Sequence, residues 1–167
     1  MFGLAAKMVR LSPDLNAIVH VRDSAKVLFC HTHGTTYRAL SADATTAYGL
    51  SPVFAIHDEL GQVVGPRSEL YDAIETAMGA HDEPLSVIIS TQAPSDADLL
   101  LTLIDDAKTG ADPKIKLFLH ASGIEDDIHD PETWRKANPA IGDFRSPEDM
   151  RQAAENARPG LAARAVN

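Results

Sequence analysis

The period of the apolar positions changes several times along the chain, and each change marks an element. Phe2, Leu4, Ala5, Met8, Val9 and Leu11 recur at helical spacing, with Lys7 and Arg10 between them. That predicts an amphipathic helix, broken by Ser12-Pro13-Asp14. Three short runs follow, at 17–21, Val27–Cys30 and 37–40, separated by Arg22-Asp23-Ser24 and by His33-Gly34. Closely spaced apolar runs with polar turns predict a small meander. The stretch 41–50 is small and polar and reads as a loop or a single helical turn.

In the middle of the chain, strand and helix patterns alternate. Residues 53–57 are apolar except for His57 and lie between Pro52 and Gly61, which predicts a buried strand. Residues 68–79 carry an apolar stripe of Leu70, Ile74, Ala77 and Met78 and stop at Gly79, as a helix does. A second buried strand is predicted over Leu85–Ile89. Ser95 reads as the cap of the next helix, with Asp98 in the capping-box position. Leu99, Leu100, Leu103 and Ile104 form that helix's core face, and Gly110 ends it. A further strand is expected over 114–119. The order β-α-β-α-β predicts a parallel sheet with flanking helices.

The pattern then fades. Residues 122–149 hold eight acidic and three basic residues with three prolines, the composition of a linker or extended arm. Short helices are expected at Pro131–Ala137 and 147–157. Trp134, the one tryptophan, is the expected anchor of this segment. The chain thus reads as a domain over 1–121 and a linker over 122–167.

Composition narrows the picture. A chain of 167 residues fits one domain, and 44% hydrophobic content with 5% aromatic makes its core aliphatic. Cys30 is the only cysteine, so no internal disulfide forms. No run is long and apolar enough for a membrane span, and the start lacks a signal-peptide pattern. The lone cysteine suits a reducing cytoplasm. The net charge of −9 is uneven: residues 1–51 hold five Lys/Arg against three Asp/Glu, the rest ten against twenty-one. That balance argues against strong DNA binding by this chain alone, though not against a local patch.

The candidate chemistry sits at the ends of the two central strands. Asp58 and Glu59 follow the first apolar run side by side. Such a pair at a strand end suits one carboxylate on Mg²⁺ and one orienting a water in phosphoryl transfer. An exposed acidic turn is the plain alternative. Ser90, Thr91 and Gln92 follow the second run. Their hydroxyls and amide can bond a γ-phosphate or its water, or simply cap the next helix. Arg67, in Gly65-Pro66-Arg67, suits a nucleotide contact across a subunit boundary, or a solvated surface.

Three segments, SADATTAYGLSPVFAIHDELGQ, GPRSELYDAIETAMGA and PLSVIISTQAPSDADLLLTLIDDA, followed by DDIHDPETWRKANPAIG, resemble the large terminase subunit of tailed bacteriophages. The resemblance runs through almost the whole chain. It implies a P-loop NTPase-like (RecA-like) sheet from the motor that packages phage DNA. It implies Asp58 as the Mg²⁺-holding Walker B acid and Glu59 as the catalytic glutamate. Ser90, Thr91 and Gln92 would be the coupling motif that senses the nucleotide. It further implies ATP and Mg²⁺ as cofactors of the intact protein. The implied partners are double-stranded phage DNA, a portal, a small terminase subunit and further copies in a ring, in the bacterial host cytoplasm.

The departures are specific. None of the ten glycines is followed by Lys, so the family's G-x-x-x-x-G-K-[ST] phosphate loop is absent. It is expected upstream of Met1. The family's nuclease domain is expected beyond the linker. The chain therefore reads as a terminase fragment, the second half of the motor domain plus the linker, inactive by itself. Two other readings stay open. One is a non-catalytic binding or assembly module on the same scaffold. The other is a small metallohydrolase built on His31 and His33, whose alternation on a strand would aim both rings to one side.

Overall fold

The helix expected at the start is α1, Phe2–Leu11. In the computed structural model, residues 2–41, 47, 49–92, 95 and 98–157 are described. The chain divides into two units, one of Met1–Ala55 with Ser68–Val87, the other of Ile56–Arg67 with Ile88–Asn167.

In the first unit, Phe2, Ala6 and Val9 recur at helical spacing on α1 and are buried with Leu28. Val19, Val21 and Ala39 pack against this cluster. Ser12-Pro13-Asp14 stops α1 and also starts a second helix, α2, Pro13–Ile18. The Ser12 hydroxyl accepts the Leu15 N–H, and Pro13 takes the first helical position, where its missing N–H costs nothing. Ala17 and Ile18 are therefore helical, and the first strand, β1, is Val19–Arg22 rather than 17–21.

The meander is as expected: β1 pairs antiparallel with β2, Val27–Cys30, and β2 with β3, Thr35–Arg38. The third strand begins two residues before the expected 37–40. A four-residue turn after Cys30 brings Thr35 directly opposite Cys30, and that register carries Arg38 opposite Val27. Much of 41–50 lies outside the described residues.

The predicted helix over 68–79 is α3, Glu69–Met78. The Ser68 hydroxyl caps it by accepting the Tyr71 N–H at 3.3 Å, and Gly79 ends it. Ile74 and Met78 are buried with Ala47, against Leu40, Ala55, Leu70 and Ala73.

The two central strands are β4, Phe54–Asp58, and β5, Leu85–Ile89. They form a parallel pair joined through α3. In the first unit the Leu85 N–H donates to the Val53 carbonyl at 3.0 Å. His81 Nε2 lies 2.9 Å from the Ser51 hydroxyl and 3.1 Å from the Ser51 carbonyl, holding the approach to β4.

Neither strand is buried as expected. Phe54 is 51% and Ile89 56% exposed. A parallel strand is covered only when layers lie on both its faces, and among the described residues this sheet has two strands. The strand expected over 114–119 is not one. Its apolar residues favour a ladder, but a ladder needs a hydrogen-bonded neighbour. Phe118 is 87% exposed.

In the second unit, β5 leads to α4, Leu99–Thr109, which ends at Gly110. The acidic segment is folded rather than extended. Helices α5, Pro131–Ala137, and α6, Pro147–Asn156, bury Trp134, Met150 and Ala154 together, with Ile128, Ala137 and Ile141 against them. Trp134 donates its indole N–H to the Ile128 carbonyl. Both helices start with a capping residue, a proline and an acid: Asp130-Pro131-Glu132 and Ser146-Pro147-Glu148. Asp126 accepts the Gly123 N–H at 2.8 Å and pairs with Lys136. The Gly123 N–H, and then Lys136, hold its carboxyl below the usual carboxylate range.

Trp134→Ala should lower the urea-unfolding free energy of the second unit by about 3 kcal/mol, the low end for removing a buried aromatic. A melt followed by circular dichroism that matches the parent chain would refute it. Asp126 is depressed on folding, so its contribution is full above its ordinary value of 3.8 and fades as pH falls through the lower folded value. In Asp126→Asn the Gly123 amide should exchange faster at pH 6, and acid should no longer accelerate its opening. Unchanged acid sensitivity would count against the pairing.

Candidate functional site

All six residues singled out for nucleotide chemistry fall in the second unit. Asp58 is the last residue of β4, and Glu59 follows it. Ser90, Thr91 and Gln92 follow β5 directly. Because the strands run parallel, both groups leave the sheet at the same edge. The Glu59 N–H donates to the Ile89 carbonyl at 2.8 Å, which fixes the register at that edge.

Glu59 itself breaks the strand. Its backbone is left-handed, φ 57° and ψ 40°, a region that a non-glycine residue enters at a cost of about 1 kcal/mol or more. The chain then makes a single 3-10 turn, Leu60–Gln62, closed by the Gln62 N–H on the Glu59 carbonyl at 2.9 Å. Leu60 and Gly61, the next two residues, are buried, whereas Asp58 and Glu59 are exposed. Asp58 and Glu59 are thus exposed carboxylates on a fixed turn, not the buried strand end that the sequence suggests.

Gly61 packs against the segment after β5. Its N–H donates to the Ser90 hydroxyl at 2.8 Å, and that hydroxyl donates to the Thr91 carbonyl at 2.8 Å. A Cβ at position 61 would lie 2.5 Å from the Thr91 oxygen and 2.8 Å from Ser90 Oγ, which only glycine avoids. Further on, the Gly65 N–H donates to Asp98 Oδ1 at 2.7 Å. Arg67 is exposed at the end of this loop and directly precedes Ser68. Asp98, not Ser95, is the residue flanking α4. The sequence pattern presents Asp98 as a capping-box partner and Gly61 only as the boundary of the strand before it. The two glycines spaced four apart after the acid pair were the available signal.

The donor set suits a hard cation in part. Carboxylate oxygens are Mg²⁺ ligands, but Mg²⁺ takes one or two of them together with water and phosphate oxygens. Asp58 fits that share. Among the described residues no group of three or more His, Cys, Asp or Glu could hold a metal on its own. His31 and His33 lie in the turn after β2, not on a strand, so the alternation behind the metallohydrolase reading is lost.

Gly61→Ala should destabilise the second unit by about 1–3 kcal/mol, because the nearest obstacle is backbone and cannot rotate away. A urea midpoint equal to the parent's would show that the two segments are not packed this closely.

No protein-family model matches the chain. The terminase large subunit of Enterobacteria phage HK97 is 50% identical over 157 residues, covering 94% of this chain and 31% of that protein. The crystal structure of the HK97 bacteriophage large terminase matches with a TM-score of 0.90 at 48% identity, covering 98% of this chain and 34% of that one. The chain spans about a third of the length of the relative it matches. No helix among the described residues is long and apolar enough to cross a membrane. In sequence and in fold, then, nearly the whole of this chain is similar to one stretch of a phage terminase large subunit.

Proposed function

We propose that the chain is a segment of an ATP-driven phage DNA-packaging motor, with residues 1–121 the second half of a P-loop NTPase-like domain and 122–167 a linker. The observation that carries this reading is the shared edge where Asp58-Glu59 and Ser90-Thr91-Gln92 emerge from parallel strands. The 50% identity to the HK97 subunit supports it.

In this reading ATP is the substrate, Asp58 would hold Mg²⁺ or its waters, and the ion would supply charge neutralisation at the phosphates. The Glu59 carboxylate accepts a proton from the attacking water and orients it. The left-handed turn holds that carboxylate at the sheet edge in advance, so little reorganisation is left to the reaction. Gln92 and Thr91 sense the γ-phosphate. Ser90 works differently from the other two. Its hydroxyl joins Gly61 to Thr91 and so ties the sensing segment to the acid-pair turn. Arg67 reaches a neighbouring subunit of a ring. The partners are double-stranded phage DNA, the portal and the small terminase subunit, in the host cytoplasm.

A second reading, an assembly module without catalysis, is favoured by the lack of any Gly-Lys pair for a phosphate loop. The two separate in one experiment. The isolated chain should hydrolyse ATP no faster than buffer. Joined to a preceding segment that carries a phosphate loop, it should gain activity. In that longer protein Glu59→Gln should lower turnover about a hundredfold or more while nucleotide still binds. Asp58→Ala should also weaken Mg²⁺-dependent binding. Undiminished hydrolysis by Glu59→Gln would rule out the assignment, and no gain on joining would favour the assembly module.

A further inference from the structure

Asp98 has a role that the nucleotide chemistry does not use. It is a carboxylate only 3% exposed. Burying a charged group costs free energy unless hydrogen bonds meet it. An aspartate at a helix start usually meets that need by accepting an N–H from its own first turn. Asp98 makes no such bond to α4. Its two oxygens turn outward to two loops instead. Oδ1 accepts the Gly65 N–H at 2.7 Å, and Oδ2 accepts the Ser95 N–H at 3.0 Å. The Leu99 N–H returns a bond to the Gly65 carbonyl at 2.9 Å. Gly65 is therefore held from both its N–H and its carbonyl, at a φ of +88°.

The same two loops are joined again at Gly61 and Ser90, next to the sheet edge. One loop, 59–67, begins at Glu59 and ends at Arg67. The other begins at Ser90 and, among the described residues, holds Thr91, Gln92, Ser95 and Asp98. We infer that Asp98 is a positioning residue that, with Ser90, fastens these loops into one body. A displacement at Thr91 or Gln92 is then delivered to Glu59 and Arg67 instead of being absorbed in a hinge. This deepens the ATPase reading, and it rests on that reading only for what the loops carry.

Amide hydrogen exchange on this chain, read residue by residue by NMR, tests the fastening without any nucleotide. Asp98→Ala should speed exchange about five- to tenfold at Gly65 and, across the fastened body, at Gly61 and Glu59. The amides of β1 and β2 should not change. Asp98→Asn, which keeps an acceptor oxygen, should restore most of the Gly65 protection. Ser90→Ala should speed Gly61 and also Gly65, and Ser90→Thr, which keeps the hydroxyl, should reverse both. If each variant affects only the amide whose bond it removes, the loops are independent and the inference falls. Should Asp98→Ala also lose protection in β1 and β2, Ser90→Ala decides alone. Faster Gly65 exchange supports the fastening, and unchanged Gly65 exchange overturns it. Because no arm involves ATP, failure of the ATPase reading would leave this result standing, and the reverse holds too.

Discussion

Two parallel strands cannot be closed by a tight turn, and this constraint organises the middle of the chain. To lie beside β4 and point the same way, β5 must be reached by a crossover, and α3 supplies it. The reward is positional. Segments thirty residues apart in sequence leave the sheet side by side, and the Glu59 N–H bond to Ile89 fixes them there. The turn at Leu60–Gln62, the close approach of Gly61 and the contacts of Ser90 all depend on that register.

What the sequence made legible follows from what pattern can encode. Helical spacing in 2–11 and in α3 is a local property and predicts both helices closely. The strands β2 and β5 were legible for the same reason. Ser12-Pro13-Asp14 reads as a stop because proline cannot continue a helix. It is equally a start, as the later Asp130-Pro131-Glu132 and Ser146-Pro147-Glu148 show. Burial was the least legible property, since it belongs to the neighbours of a segment. Phe54, Ile89 and Phe118 have apolar side chains whatever covers them. In the candidate site the residue types were visible but their contacts were not. Nothing local distinguishes Asp98 as a helix cap from Asp98 as an acceptor for Gly65.

The acidic C-terminal segment shows how little apolar surface is enough to organise a polar stretch. Trp134, Met150 and Ala154 come from two short helices. Each helix is started by its own capping residue and, being short, is stabilised by the packing of its apolar face. Surface ion pairs such as Arg151 with Glu148 and Glu155 decorate α6, but exposed pairs of this kind contribute little to stability. The packing of one indole, with its N–H satisfied by Ile128, does more.

The left-handed backbone at Glu59 has an evolutionary consequence. On the proposed reading, position 59 is filtered twice, once for the chemistry of its side chain and once for tolerance of a positive φ. Glycine and asparagine suit the backbone but lack a carboxylate, aspartate suits it but holds its carboxylate on a shorter stem, and β-branched residues fit neither filter. Few single substitutions from Glu59 are therefore neutral. If Glu59 is the base proposed above, a lineage that gives up that chemistry is freed to relax the strain, and glycine or asparagine at this position in a related chain would then be a trace of lost catalysis readable from sequence alone.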